Sequence, residues 1–485
     1  MSDWFLPAAE RPWTSGNLVV PHVHGADYFA RLLEVVGATQ RGDRIFCTDW
    51  RGDADERMTA DGPTIGDLLS SAARRGVEVR ALLWRSHPGN LNGKENDHLG
   101  TVINEAGGEA LLDERVRRGG SHHQKLVVVR RMDHPDEDVA FVGGIDLCHG
   151  RRDDSGHAGD PQAAPLDERY GPTPPWHDAM AEIRGPAVAH VLDTFAERWD
   201  DPTPLDHRNP YRAVLHRLVR MPRHPEPLPQ RWDPPPEAGR HQVQILRTYP
   251  AKRPAYPFAP DGERSIARAY ARAFARARRL VYIEDQYFWS DVVAATLATA
   301  LRREPQLQVV AVVPRYPEKD SRTGAPPIRY GQRLAWDVLR EAGGDRFALF
   351  DLENDQGTPV YVHAKVCVVD DEWMTIGSDN LNRRSWTHDS EVTCAVVDPD
   401  GVLPREVRTS LWAEHLGLSR DEPRMSDLGG ALALWAQRED APGSRIRRHV
   451  PPALSASTRR WAGPTYRALL DPDGRPRRLR GTADF

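Results

Sequence analysis

The chain has 485 residues, of which 28% are charged, and a net charge of −5. The length allows one to three domains with large cores. The slightly acidic balance excludes an overall positive field that would draw the chain to nucleic acid or to an anionic membrane, and no apolar run approaches the roughly 18 residues of a membrane-spanning helix.

The cysteines and the N-terminal residues indicate the state of the thiols and the cellular location. The four cysteines occur singly in apolar, strand-like runs without C-x-x-C spacing, so we expect buried free thiols and no zinc signature. The first residues, MSDWFLPAAERPW, lack a basic segment followed by an apolar core. We therefore expect no secretory signal and a cytoplasmic location, although a mature secreted chain that has lost its signal is a second interpretation.

Strand and helix patterns alternate near the start of the chain. Helical apolar spacing covers Ala26–Gln40, and the strand-like run Arg44–Trp50 follows. Thr64 is a helix N-cap, and Gly76 ends that helix before the strand Val77–Trp84. Repeated strand–helix–strand units predict an α/β layer.

A polar constellation then occurs within Ser121–Cys148. His123 and Lys125 form an H-x-K pair ahead of an apolar run. The polar excursion Arg130–Asp138 follows, and a second apolar run ends in a Gly-Gly-Ile-Asp turn that contains Asp146. The alternation predicts two strands with a turn at each end.

The rest of the first half contains a loop, a short acidic motif and a linker. Gly150–Pro175 is rich in Gly, Pro, Asp and Arg and is predicted to be a loop near the mouth of a site. Pro-Trp-His-Asp follows, ending at Asp178, and then a helix over Pro186–Trp199. The stretch Pro222–Pro236 contains seven prolines and no apolar periodicity, which is typical of a linker.

The second half repeats the alternation. Helices are predicted over Ser265–Arg278, Val292–Arg303 and Tyr330–Glu341, with strands over Leu280–Phe288 and Leu307–Val313. From position 438 onward the composition becomes basic and rich in Pro and Gly. We expect a solvated tail there; a tail that contacts phosphate or membrane is the alternative.

A second polar constellation lies between positions 360 and 396. His363, Lys365 and Asp370 stand in the pattern H-x-K-x4-D, and a Gly-Ser-x-Asn turn containing Ser378 and Asn380 follows. An imidazole can act as a nucleophile or as a general acid–base. A lysine two residues further on lies on the same strand face and can hold a phosphate, and the turn offers further donors to the same anion.

One more acid completes this constellation. Glu391 begins the next strand-like run and could hold the far ring nitrogen of His363. His123 and His363 are 240 residues apart, about half of the chain, so the sequence indicates an internal duplication.

Both constellations resemble the signature of the phospholipase D superfamily, H-x-K-x4-D-x6-G-S-x-N. The second copy matches without a gap, whereas the first has Arg130 at the aspartate position and a longer loop. Asp133, Asp136 or Asp138 could substitute for that aspartate, or the site could do without it. The segments P-W-H-D and L-V-Y-I-E-D-Q-Y-F are similar to segments of the eukaryote-type phospholipases D.

The resemblance implies a fold and a domain plan. We expect an α/β chain with two similar phospholipase D-like α-β-α domains packed as a pseudo-dimer, with the site at their seam. The expected bounds are 1–221 for the first domain, 222–240 for the linker, 241–437 for the second domain and 438–485 for the basic tail.

The resemblance also implies roles for the polar residues. His123 is expected to be the nucleophile and His363 the acid–base. Asp178 is expected to orient His123, as Glu391 orients His363, and Asp370 to support the catalytic residues. The residues expected to hold the phosphodiester are Lys125, Lys365, Ser378, Asn380 and Asp146. Two lysines supply the positive charge for which other phosphatases use ions, so we expect neither a cofactor nor a metal.

The function implied is cleavage or transphosphatidylation of glycerophospholipids through a phosphohistidine. We expect a monomer with a phospholipid substrate, peripheral contact with a membrane and no nucleic-acid partner. Aromatic residues near the expected mouth could accept acyl chains: Tyr287, Phe288, Trp289 and Trp386. The alternatives are a phospholipid synthase of the cardiolipin synthase type, a nucleic-acid phosphodiesterase of the same superfamily, and a catalytically inactive binding protein.

Overall fold

The computed structural model describes residues 3–85, 93–163, 165–205, 214, 225–228, 232–318, 324–482 and 485. The first half builds one mixed sheet. Its strands are β1 (Thr14–Val23), β2 (Arg44–Asp49), β3 (Glu78–Trp84), β4 (Glu109–Asp113), β5 (Leu126–Arg130), β6 (Val139–Gly143) and β8 (Ala179–Arg184). Its helices are α1 (Gly25–Gly37), α2 (Ile65–Arg74), α3 (Gly93–Glu105) and α4 (Ala187–Trp199). The short strand β7 (Trp176–His177) instead pairs in parallel with Tyr361 and Val362 of the second half.

The second half builds a second mixed sheet. Its strands are β9 (His241–Tyr249), β10 (Glu263–Arg264), β11 (Leu280–Asp285), β12 (Gln308–Val312), β13 (Phe347–Glu353), β14 (Pro359–Val362), β15 (Lys365–Val369), β16 (Trp373–Gly377), β17 (Glu391–Val397) and β18 (Ile446–Arg448). Its helices are α5 (Ser265–Arg276), α6 (Asp291–Arg303), α7 (Ala325–Gly343), α8 (Arg383–Thr387), α9 (Leu403–Leu416), α10 (Ala431–Arg438) and α11 (Ala456–Thr465).

The two sheets have the same strand order and the same directions. The first runs β1-β8-β6-β5-β2-β3-β4, and only its last two pairings, β2–β3 and β3–β4, are parallel. The second runs β9-β17-β16-β15-β11-β12-β13, again with only the last two pairings parallel. This repetition confirms the predicted duplication and the two-domain α/β pseudo-dimer.

The central strands are buried on both faces, which explains their continuous apolar runs. In β5, Leu126 and Val128 face the core shared by the two halves, whereas Val127 and Val129 face the core of the first half alone. Strand β15 alternates in the same way between the shared core and the core of the second half. Side chains alternate between the faces of a strand, so each sheet lies between two apolar layers.

The sheets pack face to face across the seam. Strand β6 lies against β16 and β17, and β16 also contacts β8. The sheets are further joined where Thr14 of β1 pairs with Val243 of β9. The ends of β5 and β15 that carry the H-x-K pairs are therefore brought together at the seam.

Several predicted segments differ from or fall outside the described structure. The basic tail is folded onto the second half: β18 pairs with β13, and the buried Asp471 accepts a hydrogen bond from the backbone N–H of Arg384 at 3.0 Å. Much of the predicted linker, including 222–224 and 229–231, lies outside the described residues. Within the described part of the chain, no helix is long and apolar enough to cross a membrane.

Candidate active site

The two H-x-K pairs occupy equivalent places in the two sheets. Lys125 directly precedes β5, and Lys365 is the first residue of β15. Each histidine segment is held by the backbone of the opposite half. The N–H of His123 donates to the carbonyl of Ser390 at 2.9 Å, and that of His363 donates to the carbonyl of His177 at 2.8 Å.

The acids that orient the histidines are exchanged relative to the sequence expectation. His123 Nδ1 lies 2.9 Å from Glu391 Oε2, and His363 Nδ1 lies 2.6 Å from Asp178 Oδ2. The expected pairings of Asp178 with His123 and of Glu391 with His363 are therefore wrong. The reason is that β17, which begins with Glu391, faces β6 of the first sheet rather than the histidine segment of its own half.

The glycine-rich turns support these acids. The Ser378 hydroxyl donates to Glu391 Oε2 at 2.6 Å. Gly144 stands at the equivalent place in the first half, and a Cβ there would lie 2.1 Å from Asp178 Oδ1. Ser378 thus fixes its acid by a hydrogen bond rather than contacting phosphate in this arrangement, and Gly144 leaves the space that Asp178 fills.

The two lysines are buried beside polar groups of their own halves. Lys125 Nζ is 3.3 Å from Asp146 Oδ1 and donates to the carbonyl of His123 at 3.2 Å. Lys365 Nζ donates to Gln286 Oε1 at 3.3 Å and to the carbonyl of His363. Asn380 is buried, and its Oδ1 has no hydrogen-bond partner among the described residues. The two ammonium groups can bind an anion at the seam, and the Asn380 amide can contribute only through its N–H donors, since its Oδ1 is an acceptor.

The lysines of both halves influence the pKa of each histidine. Burial and then both lysines, Lys125 and Lys365, lower the pKa of His123 well below its usual value. Burial, Lys365 and Arg151 lower the pKa of His363 in the same way, and Lys125 adds to this effect. Each histidine is affected by the lysine of the other half, and both imidazoles are held neutral at neutral pH, so the Nε2 of either can present a lone pair.

Burial also shifts the pKa values of the supporting groups. It raises the pKa of Glu391 to about 8 and lowers that of Lys365 to about 8, with Lys125 adding to the effect on Lys365. Burial raises the pKa of Asp178 as well. In the empty site, burial thus disfavours the charged forms of Glu391, Lys365 and Asp178. A bound anion would offset the positive charge of the lysines, so the site favours anion binding.

Asp370 is not part of this site, although the motif predicted a supporting role beside the catalytic residues. It follows β15 at the end opposite Lys365, with φ of 53°. Its carboxylate accepts from the backbone N–H groups of Arg278, Arg279 and Leu280 at 2.7, 2.8 and 2.8 Å. It fixes β15 to the start of β11.

In the first half, an acid beside the neighbouring strand β2 makes the corresponding connection to the end of β5. Asp43, just before β2, accepts from the backbone N–H of Met132, which follows β5, at 2.9 Å. Arg130 is therefore not a damaged catalytic position. It is buried rather than solvent-facing, with Nε 2.6 Å from Asp138 Oδ2 and its guanidinium 5.7 Å from the ring centre of Trp232.

The aromatic residues expected to accept acyl chains are mostly core residues. Phe288 and Trp386 are buried in the apolar core of the second half, where Trp386 stacks on Tyr270. Trp289 is buried and stacks on the half-buried Tyr287 at 4.2 Å. Among these four, Tyr287 alone retains partial exposure.

Sequence reasoning missed three residues at the site. Arg151 lies 3.8 Å above the ring centre of Trp176 and 3.8 Å from Asp146 Oδ2. Trp176 in turn packs on His363, with ring centres 4.8 Å apart. Gln286 bridges Lys365 and the hydroxyl of Tyr361. Trp176 and Gln286 lie in P-W-H-D and I-E-D-Q, directly beside acids that the sequence marks, whereas Arg151 lies in the loop 150–175, where no local pattern marks it.

Comparisons with known proteins identify the superfamily. A family model described as "Phospholipase D" matches residues 51–294, about half of the chain, and one described as "Cardiolipin synthase, PLD-like domain" matches residues 270–410. The chain belongs to the phospholipase D superfamily.

Named relatives are consistent with this placement, and a solved structure has a similar fold. Phospholipase D alpha 1 of Ricinus communis is 26% identical, with 86% of this chain and 66% of the relative covered. Phospholipase D beta 2 of Arabidopsis thaliana is 28% identical, with 91% and 62% covered. The chain thus spans somewhat less than two thirds of these relatives. The fold is similar to that of a phosphatidylserine synthase of Haemophilus influenzae Rd KW20, with TM-score 0.54, 11% identity and coverage of 95% and 94%.

Proposed function

We propose that the chain is a phosphodiesterase of the phospholipase D type that acts on glycerophospholipids. The observation that carries the proposal is the crossed pairing of His123 with Glu391 and of His363 with Asp178, beside two buried lysines. Each half supplies the acid for the other half's histidine, so a single composite site contains two oriented imidazoles.

The chemistry needs one histidine in each of two roles. The bound phosphodiester anion offsets the charge of the lysines, so His363 can take up a proton from water at Nε2. His123 Nε2 then attacks phosphorus while the bond to the head-group oxygen breaks, and His363 Nε2 donates that proton to the oxygen. Water then attacks phosphorus, His363 takes the proton from the water, and the phosphorus–nitrogen bond breaks. The Asp178 carboxyl at His363 Nδ1 supports the imidazolium that this cycle requires.

A glycerophospholipid substrate is supported by the relatives, which are named phospholipases D. The net charge of −5 also disfavours nucleic acid, whose binding gains affinity from many Lys and Arg contacts with phosphates. We propose a monomer that contacts the lipid surface peripherally, because the composite site lies within one chain.

Transfer to an alcohol instead of water is the second candidate. It is favoured by the match of residues 270–410 to the model described as a cardiolipin synthase domain. A phosphatidyl-histidine can be resolved by any hydroxyl that reaches it, so the two candidates differ only in the acceptor.

One assay tests the proposal and separates the candidates. Purified chain is incubated with phosphatidylcholine, phosphatidylethanolamine and phosphatidylglycerol, with and without ethanol, and with single-stranded DNA; products are read by mass spectrometry. We expect phosphatidic acid in water and phosphatidylethanol with ethanol. Phosphatidylglycerol that is converted to cardiolipin with little phosphatidic acid would favour the synthase.

Two controls make the assay specific. His123→Ala should abolish turnover, whereas His134→Ala, at an exposed histidine outside the site, should not. Turnover of DNA or of a 3′-phosphodiester without any turnover of lipid would overturn the lipid assignment.

A further inference from the structure

A second group of histidines lies behind Asp178. His24 precedes α1, His157 lies in the loop after β6, and His177 belongs to β7. Their rings are mutually close, with centres 5.0 Å (His24–His157), 5.3 Å (His24–His177) and 5.6 Å (His157–His177) apart. All three side chains are buried. Glu414 of α9, from the other half, closes the group.

The three rings point one nitrogen each toward Glu414. His24 Nε2 is 2.9 Å from Oε2, His157 Nε2 is 3.0 Å from Oε1, and His177 Nδ1 is 4.0 Å from Oε1. These three nitrogens and the carboxylate lie within 4.8 Å of one another. Arg445 is a further charge at the edge, 3.9 Å from Glu414 Oε1.

The outer nitrogens of two rings already have acceptors. His177 Nε2 lies 2.8 Å from Glu284 Oε2, and His157 Nδ1 lies 3.1 Å from the carbonyl of Trp176. If each outer nitrogen carries the proton that it donates, the inner nitrogens carry lone pairs. His177 Nδ1 has no hydrogen-bond partner among the described residues. At His24 and His157 either a proton or a metal ion can lie between the inner nitrogen and Glu414. His177 Nδ1, at 4.0 Å, is too far from the carboxylate for a hydrogen bond, and a metal ion would link it to the group.

We propose that His24, His157, His177 and Glu414 bind a zinc ion. Three imidazoles bound tetrahedrally with zinc–nitrogen distances of about 2.0–2.1 Å have ring centres roughly 5 Å apart, close to the 5.0–5.6 Å observed. Outer-nitrogen contacts to a carboxylate and a backbone carbonyl are what metal-binding histidines require to fix their tautomer. His24 and His157 are also held at φ of 78° and 52°, a conformation that non-glycine residues adopt at a cost.

The neighbouring group around Glu284 does not need an ion. Glu284 accepts from His177 Nε2 at 2.8 Å, from His415 Nε2 at 2.7 Å and from the Tyr282 hydroxyl at 2.6 Å. N–H and O–H donors satisfy both of its oxygens, so this carboxylate acts as support for the proposed zinc ligand His177.

The position indicates a structural rather than a catalytic ion. His177 lies between Trp176, which packs on His363, and Asp178, which binds His363. Three ligands come from the first half and one from the second. The ion would therefore fix β7 and the seam, and so the orientation of His363, without contacting the substrate.

Elemental analysis of the untagged full-length chain, purified without chelator, tests the proposal. We expect about one zinc per chain. His157→Ala and Glu414→Gln should each reduce it to less than about a tenth of that value, whereas His134→Ala, at an exposed histidine, should retain it. Removing the metal with dipicolinate should lower the thermal midpoint, and added zinc should restore it.

Cobalt provides a readout that does not depend on whether the variants fold. Metal-free wild-type chain should take up one cobalt ion and show the intense visible bands of a tetrahedral site. The proposal is overturned if wild-type chain contains no transition metal and neither zinc nor cobalt binds it at one equivalent. It is also overturned if folded Glu414→Gln and His157→Ala chains retain metal at the wild-type level.

Discussion

Each histidine of the candidate active site has one ring nitrogen at a buried acid and the other directed to the seam. The acid fixes the tautomer and supports positive charge as the proton is gained. Because Glu391 serves His123 and Asp178 serves His363, removing either acid should impair one chemical role and spare the other.

Asp178→Asn and Glu391→Gln should therefore fail at different steps. Both should lose about 10²–10⁴-fold in turnover. Asp178→Asn weakens His363 both as the acid for the leaving group and as the base that activates water. With a p-nitrophenyl phosphodiester, whose leaving group needs no proton, only the second step should slow, so a covalent phosphohistidine at His123 should accumulate. Glu391→Gln weakens the nucleophile, so none should accumulate. The adduct is measured by intact-mass spectrometry after a quench without acid, because acid hydrolyses phosphohistidine. Accumulation in Glu391→Gln alone would contradict the pairing of Glu391 with His123 and of Asp178 with His363.

The pH dependence should report Lys365. Burial, with a contribution from Lys125, lowers the pKa of Lys365 to about 8, so its ammonium is present below that pH and is lost as the pH rises through it. We expect kcat/KM to fall above pH 8. In Lys365→Arg the guanidinium keeps its charge, so this limb should move to higher pH although the rate at pH 7 is lower. If kcat/KM of Lys365→Arg falls above the same pH as that of wild type, the decrease arises from another group.

Residue identity and spacing select His123, Lys125, His363 and Lys365 as candidate site residues, because each lies in a short pattern beside an apolar strand. They could not predict which acid serves which histidine. Glu391 is 268 positions from His123, and Asp178 is 185 from His363. Such pairing depends on how the two sheets face each other, which no local pattern encodes.

At the scale of elements, acids hold the central strands of each sheet together at the end away from the site. Asp370 binds three backbone N–H groups at the start of β11, and Asp43 binds the one at Met132 after β5. The motif aspartate is thus a structural residue, and in the first half Asp43, beside the neighbouring strand, makes the corresponding contact.

Asp370→Asn should accordingly change stability more than activity. The amide keeps one acceptor oxygen but loses the charge, so we expect the free energy of unfolding to fall by roughly 1–3 kcal/mol. At a temperature where the chain remains folded, kcat/KM should stay within about threefold of wild type. Denaturant unfolding and the lipid assay measure the two effects. A loss of turnover in a folded variant would return Asp370 to the site.

Arg130 gives a second test at this scale, since it is buried against Asp138. Arg130→Met alone leaves the carboxylate unpaired and should cost roughly 3–5 kcal/mol in the free energy of unfolding. Arg130→Met with Asp138→Asn should cost less than the sum of the single changes. Arg130→Asp should be worse still, because it places two carboxylates together. Additive effects in the double variant would show that the pair does not interact.

At the scale of the whole molecule, two copies of one strand order build a single site. The alternating strands, the internal duplication and the seam could be predicted, since apolar period and motif repetition are local signals. The fold of the basic tail onto β13 could not, because β18 has three residues and carries two arginines, Arg447 and Arg448. The histidine group behind Asp178 was also missed, since its members are separated by up to 390 positions.

This architecture predicts how two inactive chains behave when mixed. His123→Ala and His363→Ala should each reduce turnover to below about a thousandth of wild type, because attack and leaving-group protonation are both required. Each chain joins its own halves through the β1–β9 pairing and the shared core, so the mixture should be as inactive as either variant. The lipid assay, run on the separate and mixed chains after joint refolding, decides this. Activity near a quarter of wild type after mixing would mean that sites form between chains, and the single-chain pseudo-dimer would then be wrong.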